Sequence, residues 1–133
     1  MENGEVNMLY EEITEKIIGC AFEVMNELGQ GFLESVYEKA MIVALNEIKF
    51  NVKNQFPINV YFRNKCVGEY FADLFVEGKI IVELKAVKSI LPEHQAQLIN
   101  YLKATNIEVG LLINFGSPKV EYKRMTRLKE NNI

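Results

Sequence analysis

The chain has 133 residues, 49% of them hydrophobic and 25% charged, the size and composition of one folded domain with a real core, which excludes a disordered chain. Two cysteines (Cys20 and Cys66) and one histidine (His94) exclude a disulfide scaffold, a four-cysteine zinc site and a His-rich metal centre. The net charge of −3 is unevenly spread: residues 1–50 carry ten acidic and three basic side chains, residues 51–133 eight acidic and twelve basic, so the back half is suited to face a polyanion.

Residues 1–7 read as a frayed terminus. From residue 9 to 28, Leu9, Ile13, Ile17, Ile18, Ala21, Phe22, Met25 and Leu28 recur at three and four, an amphipathic helix that Gly29 is placed to stop. A second helix is expected over 33–48, with apolar stripes on Val36, Ala40, Val43 and Ala44 and on Met41, Leu45 and Ile48. The period then changes to two. Phe56, Ile58, Val60 and Phe62 predict a strand, Arg63-Asn64-Lys65 a turn, and 66–76 and 80–87 two further strands joined at Glu77-Gly78-Lys79. A helix over 92–104 accepts Pro92 in its first turn. The apolar run 109–115 suits a strand covered on both faces, and the basic tail from 119 to 129 has room for one more short strand. This order predicts an α/β domain, a mixed central sheet flanked by helices, with 80–115 as a parallel strand–helix–strand unit. The whole chain, 1–133, is expected to be one such domain. No apolar run approaches the ~20 residues of a membrane span and no signal-peptide pattern is evident, so a cytoplasmic location without a membrane partner is expected.

If Glu77-Gly78-Lys79 form the loop, Val76 faces Ile80 and Asp73 faces Glu83. Lys85, two residues on, points to the same face, while Ala72, Leu74, Val76, Val82 and Leu84 take the other. Opposed carboxylates repel. Lys85 or a bound divalent cation are the candidates to neutralise them, and Mg²⁺ prefers such oxygen ligands. A solvent-exposed cluster of three charges is the plain alternative.

Asp73 followed by Glu83-Leu84-Lys85 resembles the D…ExK motif of the PD-(D/E)xK nuclease superfamily. Gln97 and Tyr101, four apart on one helix face, match the Q-x-x-x-Y of its RecB-type branch, and Gly31-Phe32-Leu33-Glu34-Ser35-Val36-Tyr37 matches the string that names the GxxExxY proteins. The resemblance spans about residues 10–127. It implies a restriction-endonuclease-like core and Mg²⁺- or Mn²⁺-dependent hydrolysis of nucleic acid, DNA first. Asp73, Glu83, the Leu84 backbone carbonyl and Glu34 would hold the metal, and Lys85 would orient water and stabilise the scissile phosphate. Glu34, in the first turn of its helix, also suits the helix dipole on its own account.

Gln97 would bind a phosphate, a water or Lys85, and Tyr101 would donate to a phosphate. Lys88 is a candidate phosphate contact. Tyr37 is expected to pack against the sheet with its hydroxyl near the site, as packing or as a substrate contact. His94 is expected to be a surface or capping residue. No glycine-rich phosphate loop or helix-turn-helix is evident. The other readings are a catalytically silent module that binds nucleic acid or a protein, and a component that works with an unknown partner or as a homodimer.

Overall fold

A computed structural model of the chain describes residues 10–127. The frayed start expected over 1–7 and the tail beyond 127 lie outside the described residues.

Helix α1 (Glu11–Leu28) ends as its pattern predicts. Gly29 turns left-handed, with φ 74°, and its N–H closes on the Met25 carbonyl at 2.8 Å. Helix α2 (Glu34–Glu47) follows after five residues and packs beside α1, burying Tyr37, Met41, Ala44 and Leu45. Strands β1 (Val52–Phe62) and β2 (Lys65–Val76) form a long hairpin whose two turn residues, Arg63 and Asn64, both take positive φ. This is the turn geometry that suits strand twist, and it returns Lys65 to the ladder opposite Phe62. β1 therefore starts four residues earlier than its alternation suggests. β3 (Ile80–Lys85) follows across Glu77 and Gly78, again at positive φ, with Val76 opposite Ile80 as the loop chemistry requires. Helix α3 (Pro92–Thr105), β4 (Val109–Asn114) and β5 (Glu121–Thr126) complete the order.

The five strands lie in sequence order in one sheet. β3 and β4 are parallel and every other neighbouring pair is antiparallel, so the sheet is mixed. α1 and α2 cover one face: Ile17, Ala21, Met41 and Leu45 pack on Val82, Leu84, Leu111 and Ile113. α3 covers the other, where Leu98 and Leu102 meet Ile81, Leu112, Ile58 and Ala72. β3 and β4, sandwiched between the helices, are apolar on both sides, as the unbroken run 109–115 predicts. Gly110 leaves room for α3, because a Cβ there would sit 2.8 Å from the Leu98 side chain, which would have to shift. Among the described residues no helix is long and apolar enough to cross a membrane.

Two details depart from simple alternation. Ala72 faces α3 rather than sharing the α1–α2 side with Leu74. Gln55 on β1 takes a left-handed φ of 52°, and the ladder is broken there between Asn54–Leu74 and Phe56–Ala72. Both strands change phase at that level, which is the level of Asp73. β3 also stops at Lys85 rather than Val87, because the Asn114 side chain takes both backbone groups of Val87.

Candidate active site

The β2–β3 ladder ends at Leu74 opposite Val82. One step further, Asp73 and Glu83 complete the pairing with their side chains. The Asp73 N–H donates to Glu83 Oε2 at 2.8 Å, and the Leu84 N–H donates to Asp73 Oδ2 at 2.7 Å. Each carboxylate thus caps a backbone donor left over where β2 changes phase. Glu83 is only 5% exposed. The Leu84 N–H points to the β2 edge, and in a strand a residue's carbonyl points to the same edge. The Leu84 carbonyl therefore faces the same side as the Asp73 carboxylate. The second oxygen of each carboxylate, Asp73 Oδ1 and Glu83 Oε1, accepts no hydrogen bond among the described residues.

Burial and mutual repulsion govern the charge of this pair. Desolvation, then the Asp73 charge, push Glu83 up to about 8, against the Asp73 N–H and Lys85, which favour the anion. Desolvation likewise raises Asp73 to about 6, opposed by the Leu84 N–H and assisted by Glu38 and Glu34. Lys85 is half-buried and attracts both carboxylates. Among the described residues, however, the ion pair within contact distance is Lys16–Glu12, exposed on α1. Lys85 alone does not neutralise the pair.

The α1–α2 turn brings the acids of α2 to this place. Gly31 takes a φ of 108°, which an L side chain rarely adopts. Gln30 Nε2 donates to the Gly116 carbonyl beyond β4 at 2.9 Å. The Tyr37 hydroxyl donates to the Gly29 carbonyl and accepts the Phe32 N–H at 3.3 Å, and its ring stacks on Phe115 at 4.5 Å. The G-x-x-E-x-x-Y spacing is therefore a clamp that holds the start of α2 over the ends of β3 and β4. Glu34 is exposed there, the first residue of its helix. Tyr37 is fully buried, so a substrate contact would require it to break both hydrogen bonds and leave the stack; its contacts are those of packing.

Glu38, one turn after Glu34, is the group sequence reading missed. It acts on Asp73 more strongly than Glu34 does and accepts from Gln55 Nε2 at 3.2 Å. Its position four residues after Glu34, on the same helix face, was the available signal.

From the other side α3 presents Tyr101, whose hydroxyl is pushed up to about 12 by burial and by the charge of Glu83, and so stays a donor. Its ring centroid lies 5.7 Å from that of Tyr70 on β2. Gln97 is half-buried one turn earlier. His94 accepts the Leu91 N–H through Nδ1 at 3.0 Å, which makes it a helix-capping residue. Lys88 is exposed in the loop after β3. Asn114, also missed from sequence, holds that loop: its Oδ1 accepts from Val87 and Gly116, and its Nδ2 donates to the Val87 carbonyl and Glu121.

Among the described residues no three His, Cys, Asp or Glu side chains are drawn together closely enough to hold a metal ion. The donor set nonetheless suits a hard divalent cation: buried carboxylates with uncommitted oxygens and a backbone carbonyl, all oxygen, with no soft ligand among them.

This arrangement has relatives. Among solved structures, the protein described as SSO0001 matches over 69% of this chain with a TM-score of 0.57 and 18% identity, a likeness of fold. This chain spans about half of that one, 48% of its length. The sequence model of the PD-(D/E)XK nuclease superfamily matches residues 11–125, from the start of α1 into β5. The chain belongs to the PD-(D/E)XK nuclease superfamily.

Proposed function

We propose that this chain is a metal-dependent nuclease that hydrolyses DNA phosphodiester bonds, acting as one domain in the cytoplasm and placed among the GxxExxY proteins with a Q-x-x-x-Y helix. The observation that carries this reading is the buried Asp73–Glu83 pair, each carboxylate fixed by a backbone N–H and each keeping one oxygen uncommitted. Two free cysteines, Cys20 and Cys66, suit a reducing compartment.

Asp73, Glu83 and the Leu84 carbonyl would hold Mg²⁺ or Mn²⁺, with Glu34 and Glu38 adding charge from α2. When bound, the cation supplies Lewis acidity at phosphate oxygen and an acidified water. The backbone bonds on both carboxylates fix their orientation before substrate arrives. The Lys85 ammonium, in the field of both, orients the attacking water and offsets the negative charge that grows on the phosphate. Gln97 hydrogen-bonds water or phosphate, the protonated Tyr101 hydroxyl donates to a phosphate oxygen, and Lys88 contacts the strand beside it.

Calorimetric titration with Mn²⁺ and a plasmid-cleavage assay test this together. Lys85→Ala should lose cleavage by at least ~10²-fold while keeping the Mn²⁺ heat; Glu83→Gln and Asp73→Asn should lose both. Cleavage that survives Lys85→Ala and Glu83→Gln alike would sink the assignment. A wild-type protein that shows neither heat nor cleavage is a silent module, and light scattering and pull-down would then ask whether it pairs with itself or with another protein.

A further inference from the structure

The β1–β2 hairpin outgrows the sheet. β2 pairs with β3 only over Leu74–Val76, whereas its pairing with β1 continues to Phe62 opposite Lys65. Residues 56–62 and 65–72 form a two-stranded ribbon, ~20–25 Å long at ~3.3 Å per residue. α3 covers one face near its base. Ile58 and Ala72 are buried there against Leu98 and Leu102, and the Tyr70 ring lies against Tyr101.

The remainder carries large apolar side chains in the open. Tyr61 is 63% exposed, Phe62 58%, Val67 62% and Phe71 55%. A two-stranded ribbon has little stability to spare; Tyr61 and Phe62, consecutive in β1, expose one aromatic ring on each face of its tip, and exposed apolar side chains gathered in this way mark a contact site. The charge here is weakly basic, and its cations sit at the tip: Arg63 and Lys65 stand on residues 56–72 against one acid, Glu69. At the tip the Arg63 guanidinium sits 4.7 Å from the Phe62 ring centroid, so cation and aromatic face occupy one patch.

A surface of this kind fits a polyanion with flat apolar faces. Single-stranded nucleic acid has both, whereas a duplex hides its base faces in the stack. The ribbon is also continuous with the candidate site, because Tyr70 on β2 touches Tyr101 three residues from Asp73 along the strand.

We infer that the β1–β2 ribbon is an arm that binds a single DNA strand, stacking bases on Tyr61 and Phe62, pairing phosphates with Arg63 and Lys65, and leading the strand past Tyr70 to Asp73 and Glu83. This rests on the nuclease reading of that site.

Fluorescence anisotropy of a labelled oligothymidylate of about 15 nucleotides, titrated with the full chain in EDTA, tests the arm. Tyr61→Ala and Phe62→Ala should each weaken binding about tenfold and leave its salt dependence unchanged. Arg63→Ala should weaken binding and flatten the salt dependence, since one phosphate contact is lost. Tyr61→Trp keeps an aromatic face. It should bind as tightly as the wild type, and its indole fluorescence, the only one in a chain without Trp, should be quenched by the strand. That variant guards against a loss of binding caused by misfolding.

Equal affinity for a duplex of the same length, wild-type affinity in Tyr61→Ala and Phe62→Ala, or an unquenched indole would each overturn the inference. So would dimerisation in light scattering that these alanine variants abolish, because the apolar patch would then belong to a second copy. Since EDTA removes cation and cleavage from the measurement, the two readings fail separately. A protein that binds the strand through Tyr61 and Phe62 but never cleaves loses the nuclease reading; a nuclease that binds it without them loses the arm.

Discussion

Two carboxylates that exchange hydrogen bonds with each other's strands make the candidate site costly to ionise. Glu83 takes up its proton near pH 8 in the folded chain, against a reference of 4.5, and Asp73 near 6 against 3.8. Between each pair of values the folded state binds more protons than the unfolded one, so stability falls as pH rises. The metal-free protein should therefore lose stability progressively from about pH 4 to 8. Glu83→Gln keeps an acceptor for the Asp73 N–H and removes the charge. At pH 8 without metal it should melt about 4 °C or more above the wild type, from ~1 kcal/mol or more of relieved desolvation, and at pH 5 the difference should vanish. Thermal melts at the two pH values in EDTA check this; equal wild-type melting temperatures at both would refute it. The pairing of Asp73 with Glu83 was legible because Gly78 set the hairpin register; the exchange of hydrogen bonds with each other's backbone was not, because alternation breaks at Asp73. Glu38 showed only in its place one turn after Glu34, since the crossing of α2 over the sheet is what brings it near Asp73.

Asn114 and Gly116 fix the connection between β3 and α3. Four hydrogen bonds from one buried amide hold Val87, Gly116 and Glu121, and Glu121 in turn accepts the Ile90 N–H. A Cβ on Gly116 would lie 2.1 Å from the Val87 carbonyl oxygen, so the two loops touch backbone to backbone. Asn114→Ala leaves buried donors unmet and should cost about 2–4 kcal/mol in urea denaturation. Gly116→Ala must push the 86–88 loop aside and should cost at least as much. The sequence pattern located β3, α3 and β4 to within two or three residues, because apolar runs and Pro92 punctuate them. It passed over the part that Gly116 and Asn114 play, because a long-range amide clamp leaves no periodic trace. For the same reason the phase change at Gln55 was invisible: Phe56, Ile58, Val60 and Phe62 alternate cleanly above it, and nothing in a polar Gln declares a left-handed backbone.

At the scale of the molecule, the split between an acidic front half and a basic back half maps onto the layers. α1 and α2 carry the acids on one side of the sheet, and the hairpins and β5 carry most of the basic residues. Only at the Gly31–Tyr37 turn does the acidic layer reach over the end of the sheet, and there it adds Glu34 and Glu38 to the Asp73–Glu83 pair. The folded chain therefore concentrates like charge at one point, which opposes folding until a cation compensates it. A ligand that binds only the folded state stabilises by mass action, by about 2.7 kcal/mol at one hundred times its dissociation constant, or roughly 10 °C in a chain of this size. Saturating Mn²⁺ should raise the melting temperature by that order at pH 8 and far less at pH 5, where protonated carboxylates do not ligate. The metal should thus flatten the pH trend of the free protein. Asp73→Asn should abolish the rise, whereas Lys85→Ala should preserve or enlarge it, since a competing positive charge is removed. A melting temperature indifferent to Mn²⁺ at pH 8 would mean that the acids of α2 and the sheet converge without forming a metal site.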